Sequence, residues 1–326
     1  MKTSPLDLST THLGLSLRSP LIPSASPLSM SLDRLREMEE YGAGAVVLHS
    51  LFENPMHQNS PHPDCYSEQI VAAKKHLGIP VIASLNATTV DGWTTLSRLI
   101  EKAGADALEL NVYHVDLDPD IPSAEIESTY IEAVRVVAST VRIPVAVKLP
   151  PFFTNLARMT KALDQAGAMG LVFFNRLFQP DIDLEKVGRD FSLNLSNSTE
   201  NRYPMHWISL LYRQTGMDLA ASTGIGTGRD VLKMILSGAS ATQVCSILMR
   251  CGIAWLETID QELRNCMAEH HFPSLKEARG LLSHVVLTEA DGIELEEYRQ
   301  ALQGYSLLNV PTWRDEEALK VNASGE

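Results

Sequence analysis

The sequence has few cysteines and no long apolar run. Its four cysteines form no CxxC pair and have no histidine nearby at metal-ligand spacing, which argues against a zinc site and a disulfide framework. We therefore expect reduced thiols and no bound metal. The longest uncharged apolar runs, such as 170–175 and 241–249, fall far short of the roughly 20 residues that cross a bilayer. We expect no membrane span.

Positive charge is also scarce. The chain has 27 Lys and Arg against 40 Asp and Glu, a formal net charge of −13, which repels nucleic acid phosphates and anionic membrane surfaces. Neither is an expected partner, although a local basic pocket could still hold a small phosphate. Residues 1–15 lack the apolar core and small-residue cleavage site of a signal peptide, so we expect a cytoplasmic protein.

Short β-branched runs alternate with amphipathic segments along most of the chain. The predicted strands are Pro20–Ser24, Ala45–Ser50, Pro80–Asn86, Ala107–Val112, Pro144–Leu149, Gly170–Asn175, Leu219–Thr223 and Thr242–Leu248. The predicted helices between them are Asp33–Tyr41, Gly92–Ala103, Ser128–Thr140, Leu156–Ala166, His206–Gln214 and Gly228–Leu236. Several helices end in Gly followed by a small residue, a common way to stop a helix before a buried strand.

Eight such units over about 250 residues favour an α/β fold of the (β/α)8 TIM-barrel type, with a doubly wound sheet as the alternative. We expect one barrel domain over residues 1–308 and a frayed tail over 309–326, where no apolar face remains. Two connections are long, Leu51 to Ile79 and Leu177 to Pro204. Because long loops in a compact barrel are often functional, we expect both to act as lids over the site.

A lysine closes the fifth predicted strand, in Val-Ala-Val-Lys148-Leu-Pro-Pro. A lysine in such an apolar run is costly unless it has an anionic or hydrogen-bond-accepting partner. The pattern predicts a functional cation at the mouth of the barrel, where strand ends carry the chemistry of this fold. The alternative is a lysine that only extends from the strand end into solvent.

Glycines follow the seventh predicted strand, in Ser222-Thr-Gly-Ile-Gly-Thr-Gly-Arg-Asp230, and the eighth strand ends at Cys245 and Ser246. The loops after strands seven and eight commonly bind phosphate in TIM barrels through backbone N–H groups. The pattern favours a phosphate site. A tight connection without a ligand is the alternative, because the glycine pattern is short.

These motifs together resemble the dihydroorotate dehydrogenase family. The resemblance covers most of the chain and rests on S-P-L-I-P-S-A-S at residues 19–26, E-L-N at 109–111, V-K-L-P-P at 147–151, S-T-G-I-G-T-G-R-D at 222–230 and Q-V-C-S at 243–246. It implies an FMN cofactor at the barrel mouth. Lys148 would lie at the N1/O2 edge of the flavin, where a cation stabilises the reduced ring. The other residues placed at the cofactor are Ser24, Ala25, Asn86, Asn111, Asn175, Thr223, Gly224, Cys245 and Ser246.

The substrate side departs from the family pattern. The family's strand-two lysine is His49, its Ser or Thr after Asn175 is Arg176, and its asparagine-rich loop is the unrelated segment 56–68. The predicted substrate site consists of His49, Asn111, Asn175 and Arg176. The family's Cys or Ser base is also absent, and His114 stands in its place. An imidazole can move a proton near neutral pH.

The predicted function is an FMN-dependent oxidoreductase acting on CH–CH bonds, with hydride exchanged at flavin N5 and a proton moved by His114. Tyr113 could donate the proton instead, or stack on the ring. One alternative is a flavin-binding, electron-transfer subunit of a partner oxidoreductase. Another is a phosphate-binding lyase or aldolase in which Lys148 forms a Schiff base. The resemblance implies pyrimidine biosynthesis, a small-molecule substrate, a homodimer and a redox partner protein.

Overall fold

The computed structural model describes residues 6–53, 62–112, 117–176, 178–284 and 298–303. The chain divides into two compact units, 1–284 and 285–326. The second unit is described only at residues 298–303, which are helical. The expected end of the barrel domain at residue 308 lies outside the described residues, so the division into 1–308 and 309–326 stays a prediction.

Eight parallel strands form the main sheet of the first unit, each buried along most of its length. They are β3 (Leu21–Pro23), β4 (Val46–Phe52), β5 (Val81–Asn86), β6 (Ala107–Asn111), β7 (Val145–Leu149), β8 (Gly170–Phe173), β11 (Asp218–Ser222) and β12 (Ala241–Val244). Two antiparallel hairpins lie outside this sheet, β1 (Thr10–His12) with β2 (Leu15–Leu17) and β9 (Asp181–Asp183) with β10 (Gly188–Asp190).

Helices follow nearly every strand. They are α1 (Leu32–Glu40), α2 (Pro63–His76), α3 (Val90–Ala103), α4 (Ser123–Thr140), α5 (Leu156–Gln165), α6 (Arg202–Leu211), α7 (Gly228–Ser237), α8 (Ser246–Cys251), α9 (Trp255–Glu269) and α10 (Leu275–Ala278). Short 3-10 helices cover Pro27–Met30 and Ser198–Asn201. In the described ranges, no helix combines the length and the apolar character needed to cross a bilayer.

The sheet order is β3-β12-β11-β8-β7-β6-β5-β4, so neighbouring strands follow chain order and the two edges, β3 and β4, come round to meet. There the Gly44 N–H donates to the Leu21 carbonyl over 2.8 Å. Gly44 lies so close to β3 that a Cβ on it would be 1.9 Å from the Ser19 carbonyl oxygen. The predicted TIM barrel is therefore confirmed, and the doubly wound alternative, whose strand order reverses, is wrong.

The β1–β2 hairpin packs under the barrel. Its Leu13 and Leu17 join a cluster of inward-facing residues from the first halves of the strands, including Ile22, Val47 and Val172. This apolar layer fills the amino-terminal end of the barrel. Inward-facing positions repeat every second residue along a strand. The inward-facing polar residues later in the same strands therefore lie nearer the carboxyl-terminal end of the barrel.

Two expectations about local structure need correction. Residues 63–76 of the first long connection form helix α2, because Tyr66, Ile70 and Ala73 recur at helical spacing and are buried; this part is not a lid. The eighth predicted strand ends at Val244, and Ser246 already begins helix α8. An uncharged apolar run favours strand and helix alike, which explains the error.

Candidate active site

A cavity of about 340 Å³ lies at the carboxyl ends of the barrel strands, within the size range of small-molecule sites. Most of the residues predicted at the cofactor and several from the long β8–α6 connection meet there. The predicted residues that line the cavity are Ser24, Ala25, Lys148, Asn175, Arg176, Thr223, Gly224, Cys245 and Ser246. Residues from five different strand ends, far apart in sequence, therefore form one site.

Lys148 is 7% exposed and lines the cavity from the end of β7. Its ammonium donates to the Ser24 hydroxyl over 2.9 Å and to the Gln243 side-chain oxygen over 2.8 Å. Glu109, 1% exposed on β6, lies deeper, with one carboxylate oxygen 3.8 Å from the Lys148 nitrogen. Lys148 therefore does not extend into bulk solvent; it has the anionic and accepting partners that a buried cation needs.

The glycine-rich turn after β11 has an unusual backbone. Thr223 and Gly224 adopt positive φ values of 79° and 72°, and the Thr223 hydroxyl donates to the Phe174 carbonyl over 3.1 Å. A Cβ on Gly224 would lie 2.6 Å from backbone atoms of Asn197 and Asn201. This turn therefore requires glycine at 224 for both conformation and space.

A carboxylate supports the turn from behind. Asp230, 5% exposed, accepts hydrogen bonds from the N–H groups of Gly226 and Thr227 and caps helix α7. The Asn201 amide donates both to Asp230 over 2.8 Å and to the Gly224 carbonyl over 3.2 Å. These bonds fix the turn before any ligand arrives, which is the preorganisation that anion sites need.

Ser196 was not predicted from the sequence, yet it lines the cavity. Its hydroxyl lies 2.9 Å from the Ser246 hydroxyl and accepts from the Gly224 N–H over 3.2 Å. It belongs to the polar tract between β10 and α6, whose side chains could not be assigned to any target without the fold. Ser196, Ser246 and Gly224 thus bring two hydroxyls and a backbone donor to one point.

Cys245 lines the cavity just after the end of β12. Burial raises the pKa of its thiol, while the Lys148 charge and a hydrogen bond with Ser26 oppose the shift. The thiol is therefore neutral at physiological pH and adds a small apolar wall to the cavity. Its sulfur lies 3.9 Å from that of Met249.

Asn175 and Asn111 begin a row of hydrogen-bonded polar side chains at the barrel mouth that continues to Ser50 and Ser84. The Asn175 amide donates to the Asn111 side-chain oxygen over 2.6 Å, and the Asn111 amide is 3.5 Å from the Ser50 hydroxyl. Ser50 in turn contacts Ser84 over 2.8 Å. Asn111 does not itself line the cavity formed by the described residues, but it orients Asn175, which does.

The remaining predicted site residues, His49 at the substrate, Asn86 at the cofactor and His114 and Tyr113 in proton transfer, do not line this cavity in the described part of the chain. His49 is buried and packs edge-on against Tyr66, with ring centroids 5.2 Å apart. Burial lowers the pKa of this imidazole, and the nearby Ser29 backbone opposes the shift. Neither ring nitrogen has a hydrogen-bond partner in the described part of the chain. Asn86 is also buried, at the end of β5. His114 and Tyr113 lie outside the described residues.

Arg176 lines the cavity, but its guanidinium is bound by the protein. It pairs with Glu200 over 2.9 Å and donates to the Asn194 carbonyl and, over 3.1 Å, to the Gln179 side chain. These partners come from separate parts of the β8–α6 connection. Arg176 therefore holds that connection together at the edge of the cavity.

The donor set fits the FMN that the sequence resemblance implies. A buried ammonium that reaches the cavity suits the pyrimidine edge of a flavin, which gains negative charge on reduction. The hydroxyls of Ser196 and Ser246 and the fixed Gly224 turn suit a phosphate monoester. Among the residues that the structure describes, no group of three His, Cys, Asp or Glu side chains is placed to hold a metal ion.

Comparison with known proteins gives one consistent result. The family model for dihydroorotate dehydrogenase matches residues 48–267, more than half of the chain. The catalytic subunit of dihydroorotate dehydrogenase B (NAD(+)) from Thermoplasma volcanium is 26% identical over 304 residues, covering 84% of this chain and 98% of that protein. The corresponding subunit from Geobacillus kaustophilus is 27% identical over 256 residues, covering 71% and 82%. Dihydroorotate dehydrogenase A (fumarate) from Lactobacillus delbrueckii subsp. bulgaricus is 24% identical over 267 residues, covering 72% and 87%.

Proposed function

Since this chain belongs to the dihydroorotate dehydrogenase family and is an FMN-dependent oxidoreductase acting on CH–CH bonds, we propose that its substrate is a small molecule other than dihydroorotate. FMN, when bound, supplies the hydride acceptor or donor at N5. The cavity and its cation support the cofactor half of this reaction. The proposal concerns the other half, the groups that would hold the substrate.

The observation that carries the proposal is the state of Arg176 and His49. A substrate carboxylate needs a cation or donor that is free to turn toward it. The Arg176 guanidinium already binds Glu200, Asn194 and Gln179. His49, where the family has lysine, is a buried imidazole whose pKa is lowered, so it is uncharged at neutral pH. A site that lacks its expected polar partner rejects a substrate by several orders of magnitude.

The other residues have cofactor and proton roles in this proposal. Lys148 holds its ammonium at the N1/O2 edge, the Ser196 and Ser246 hydroxyls beside the Gly224 turn hold the phosphate, and Asn175, oriented by Asn111, faces the reacting edge. Proton transfer belongs to His114 or Tyr113. The Schiff-base alternative for Lys148 finds no support, because the Lys148 nitrogen is held by hydrogen bonds to Ser24 and Gln243 with a carboxylate oxygen 3.8 Å away.

We also propose a cytoplasmic homodimer that passes electrons to a redox partner protein. Two of the relatives named above are catalytic subunits, which implies a further subunit in those enzymes and supports the redox partner. Size-exclusion chromatography with light scattering, and co-purification of the tagged protein from its native host, test these two points separately.

The experiment for the substrate is anaerobic mixing of the FMN-loaded protein with excess dihydroorotate. We expect slow or absent bleaching of the flavin band near roughly 450 nm, a property of the cofactor itself, and full bleaching by dithionite. Rapid, complete bleaching by dihydroorotate would refute the proposal and would mean that the Tyr113–His114 loop has taken over the role of the family's base. A slow reaction would direct the search to other small unsaturated acids and amides.

A further inference from the structure

A buried carboxylate lies directly beneath the cation of the cofactor site. Glu109 follows Ala107 on β6 by two residues, so both point into the barrel, and Ala107 belongs to the apolar layer at the bottom. Glu109 does not line the cavity. One of its carboxylate oxygens has no hydrogen-bond partner in the described part of the chain and lies 3.8 Å from the Lys148 nitrogen.

Gln243 connects the two charges, and its amide can be oriented without ambiguity. A lysine ammonium only donates hydrogen bonds, so the Gln243 atom 2.8 Å from Lys148 must be the amide oxygen. The amide nitrogen then faces Glu109 and donates to its second oxygen. Ser24 also donates to the Gln243 oxygen, over 3.1 Å. The order from cavity to core is therefore Lys148, Gln243, Glu109.

The hydrogen bonds also fit an ionised Glu109. The Gln243 oxygen is already bonded to Lys148 and Ser24, so Gln243 turns its amide nitrogen to Glu109, and the other Glu109 oxygen lies 3.8 Å from the Lys148 nitrogen. A carboxylate accepts from Gln243 and is compensated by Lys148. Sequence reasoning used Glu109 only as part of the E-L-N motif and gave it no role, although a glutamate inside an apolar strand raises the same question as Lys148.

We infer that Glu109 is a positioning residue for the cofactor: through Gln243 it fixes Lys148, and its buried charge lowers the redox potential of the flavin. Reduction places negative charge at the flavin edge that Lys148 faces. The Lys148 cation stabilises that charge, whereas Glu109, only one layer deeper, opposes it through a medium of low dielectric constant. The inference rests on FMN in this cavity and is independent of the identity of the substrate.

The first test is Glu109→Gln in the full-length, FMN-loaded protein, with the flavin midpoint potential measured by anaerobic dye equilibration. Removing the opposing charge should raise the ratio of reduced to oxidised flavin at a fixed potential at least about tenfold, which is about 30 mV for a two-electron couple. Glu257→Gln at an exposed position of α9 makes the same change in net charge outside the cavity lining, and it should leave the potential unchanged. An unshifted potential in Glu109→Gln with FMN bound would overturn the inference.

The second test moves the charge. Gln243→Glu places a second carboxylate beside Lys148 and should shift the potential in the negative direction, and the double variant Glu109→Gln, Gln243→Glu should return it toward the wild-type value because one carboxylate remains. If Glu109→Gln fails to fold or to load FMN, Gln243→Glu decides: a negative shift supports the inference, and an unshifted potential contradicts it. If the wild-type protein itself cannot be loaded with FMN, the family assignment of the cofactor fails instead, and the two failures are thereby distinguished.

Discussion

The two halves of the barrel mouth differ in how the predicted site residues are arranged. One half, at the ends of β3, β7, β11 and β12, holds Ser24, Lys148, Gly224 and Ser246 around a single cavity. The other half, at the ends of β4 and β5, has His49 packed against Tyr66, and it has Asn86, which was predicted at the cofactor, buried at a strand end away from the cavity lining. The first half, the cofactor half, thus forms one site around a cation, whereas the second half, the substrate half, has a buried imidazole at the position where the sequence resemblance implies a lysine.

The largest expected effect comes from removing the cation of the cofactor half. Lys148→Ala should weaken flavin retention or slow flavin reduction about a hundredfold or more, because the negative charge that develops on the ring loses its stabilising partner. The measurements are the FMN content after dialysis and stopped-flow reduction. Lys161→Ala, at an exposed position of α5, is the control. Unchanged flavin content and kinetics in Lys148→Ala would show that the two halves do not differ in the way described.

The next effect tests the phosphate turn. Gly224→Ala should destabilise the turn by on the order of 3 kcal/mol, since a methyl group meets two backbone atoms and the residue must keep a positive φ; FMN affinity should fall with it. Gly226→Ala is a matched control two residues away, because its Cβ would meet only Ile247 at 3.6 Å and no positive φ is required. Isothermal titration with FMN measures both variants. Equal affinities would remove the turn from the site.

A pH experiment distinguishes release of the flavin from unfolding of the barrel. Burial lowers the pKa of His12, under the barrel, to about 4, with the Asp218 charge opposing and the Arg279 charge assisting the shift. The unfolded chain takes up a proton near the ordinary value of 6.5, so the stabilising contribution is complete above about pH 6.5 and is lost as the pH falls toward 4. The loss should be roughly 2 kcal/mol by about pH 5.

Urea unfolding of the wild type and of His12→Gln at several pH values checks this prediction. The variant should be less stable at neutral pH but should show a flatter pH dependence below 6.5, whereas His270→Gln, at an exposed position, should follow the wild type. Identical slopes for His12→Gln and the wild type would contradict the role of His12. Flavin release in this pH range should then track global unfolding rather than either half of the mouth.

The smallest effect belongs to the substrate half. His49→Gln should leave FMN retention unchanged, because the His49 imidazole packs against Tyr66 and does not line the cavity formed by the described residues. The measurement is the FMN dissociation constant beside that of Lys148→Ala. A loss of FMN comparable to that of Lys148→Ala would place His49 in the cofactor half and would break the comparison.

The sequence identified more of the residues that line the cavity than of the other local features, for physical reasons. A buried lysine and a glycine turn are costly without a purpose, so Lys148 and Gly224 could be recognised from their surroundings in the chain. Ser196 could not, because a serine in a polar tract costs nothing and only the fold brings it to Ser246. Helix α2 was missed because the connection was read as one loop, although Tyr66, Ile70 and Ala73 carried the helical spacing.

For Glu109 and Gln243, the sequence provides only part of the information. Both are polar residues within apolar strands, a pattern that predicts a buried partner but does not say which one. The pairing with Lys148 depends on the closure of the barrel, which brings β12 beside β3 and so places Gln243 across from β6 and β7. No local signal in the sequence contains that information.

The most direct test of the central claim is a titration of orotate into the FMN-loaded protein, followed by the flavin absorption spectrum. Ligands that stack on a flavin perturb its spectrum, so one sample reports both halves of the mouth. We expect a stable flavin spectrum that does not change up to about 1 mM orotate, the range of very weak binding. A saturable spectral shift at micromolar orotate would contradict the account, because it would mean that the substrate half still binds the family's ligand despite the loss of its cation.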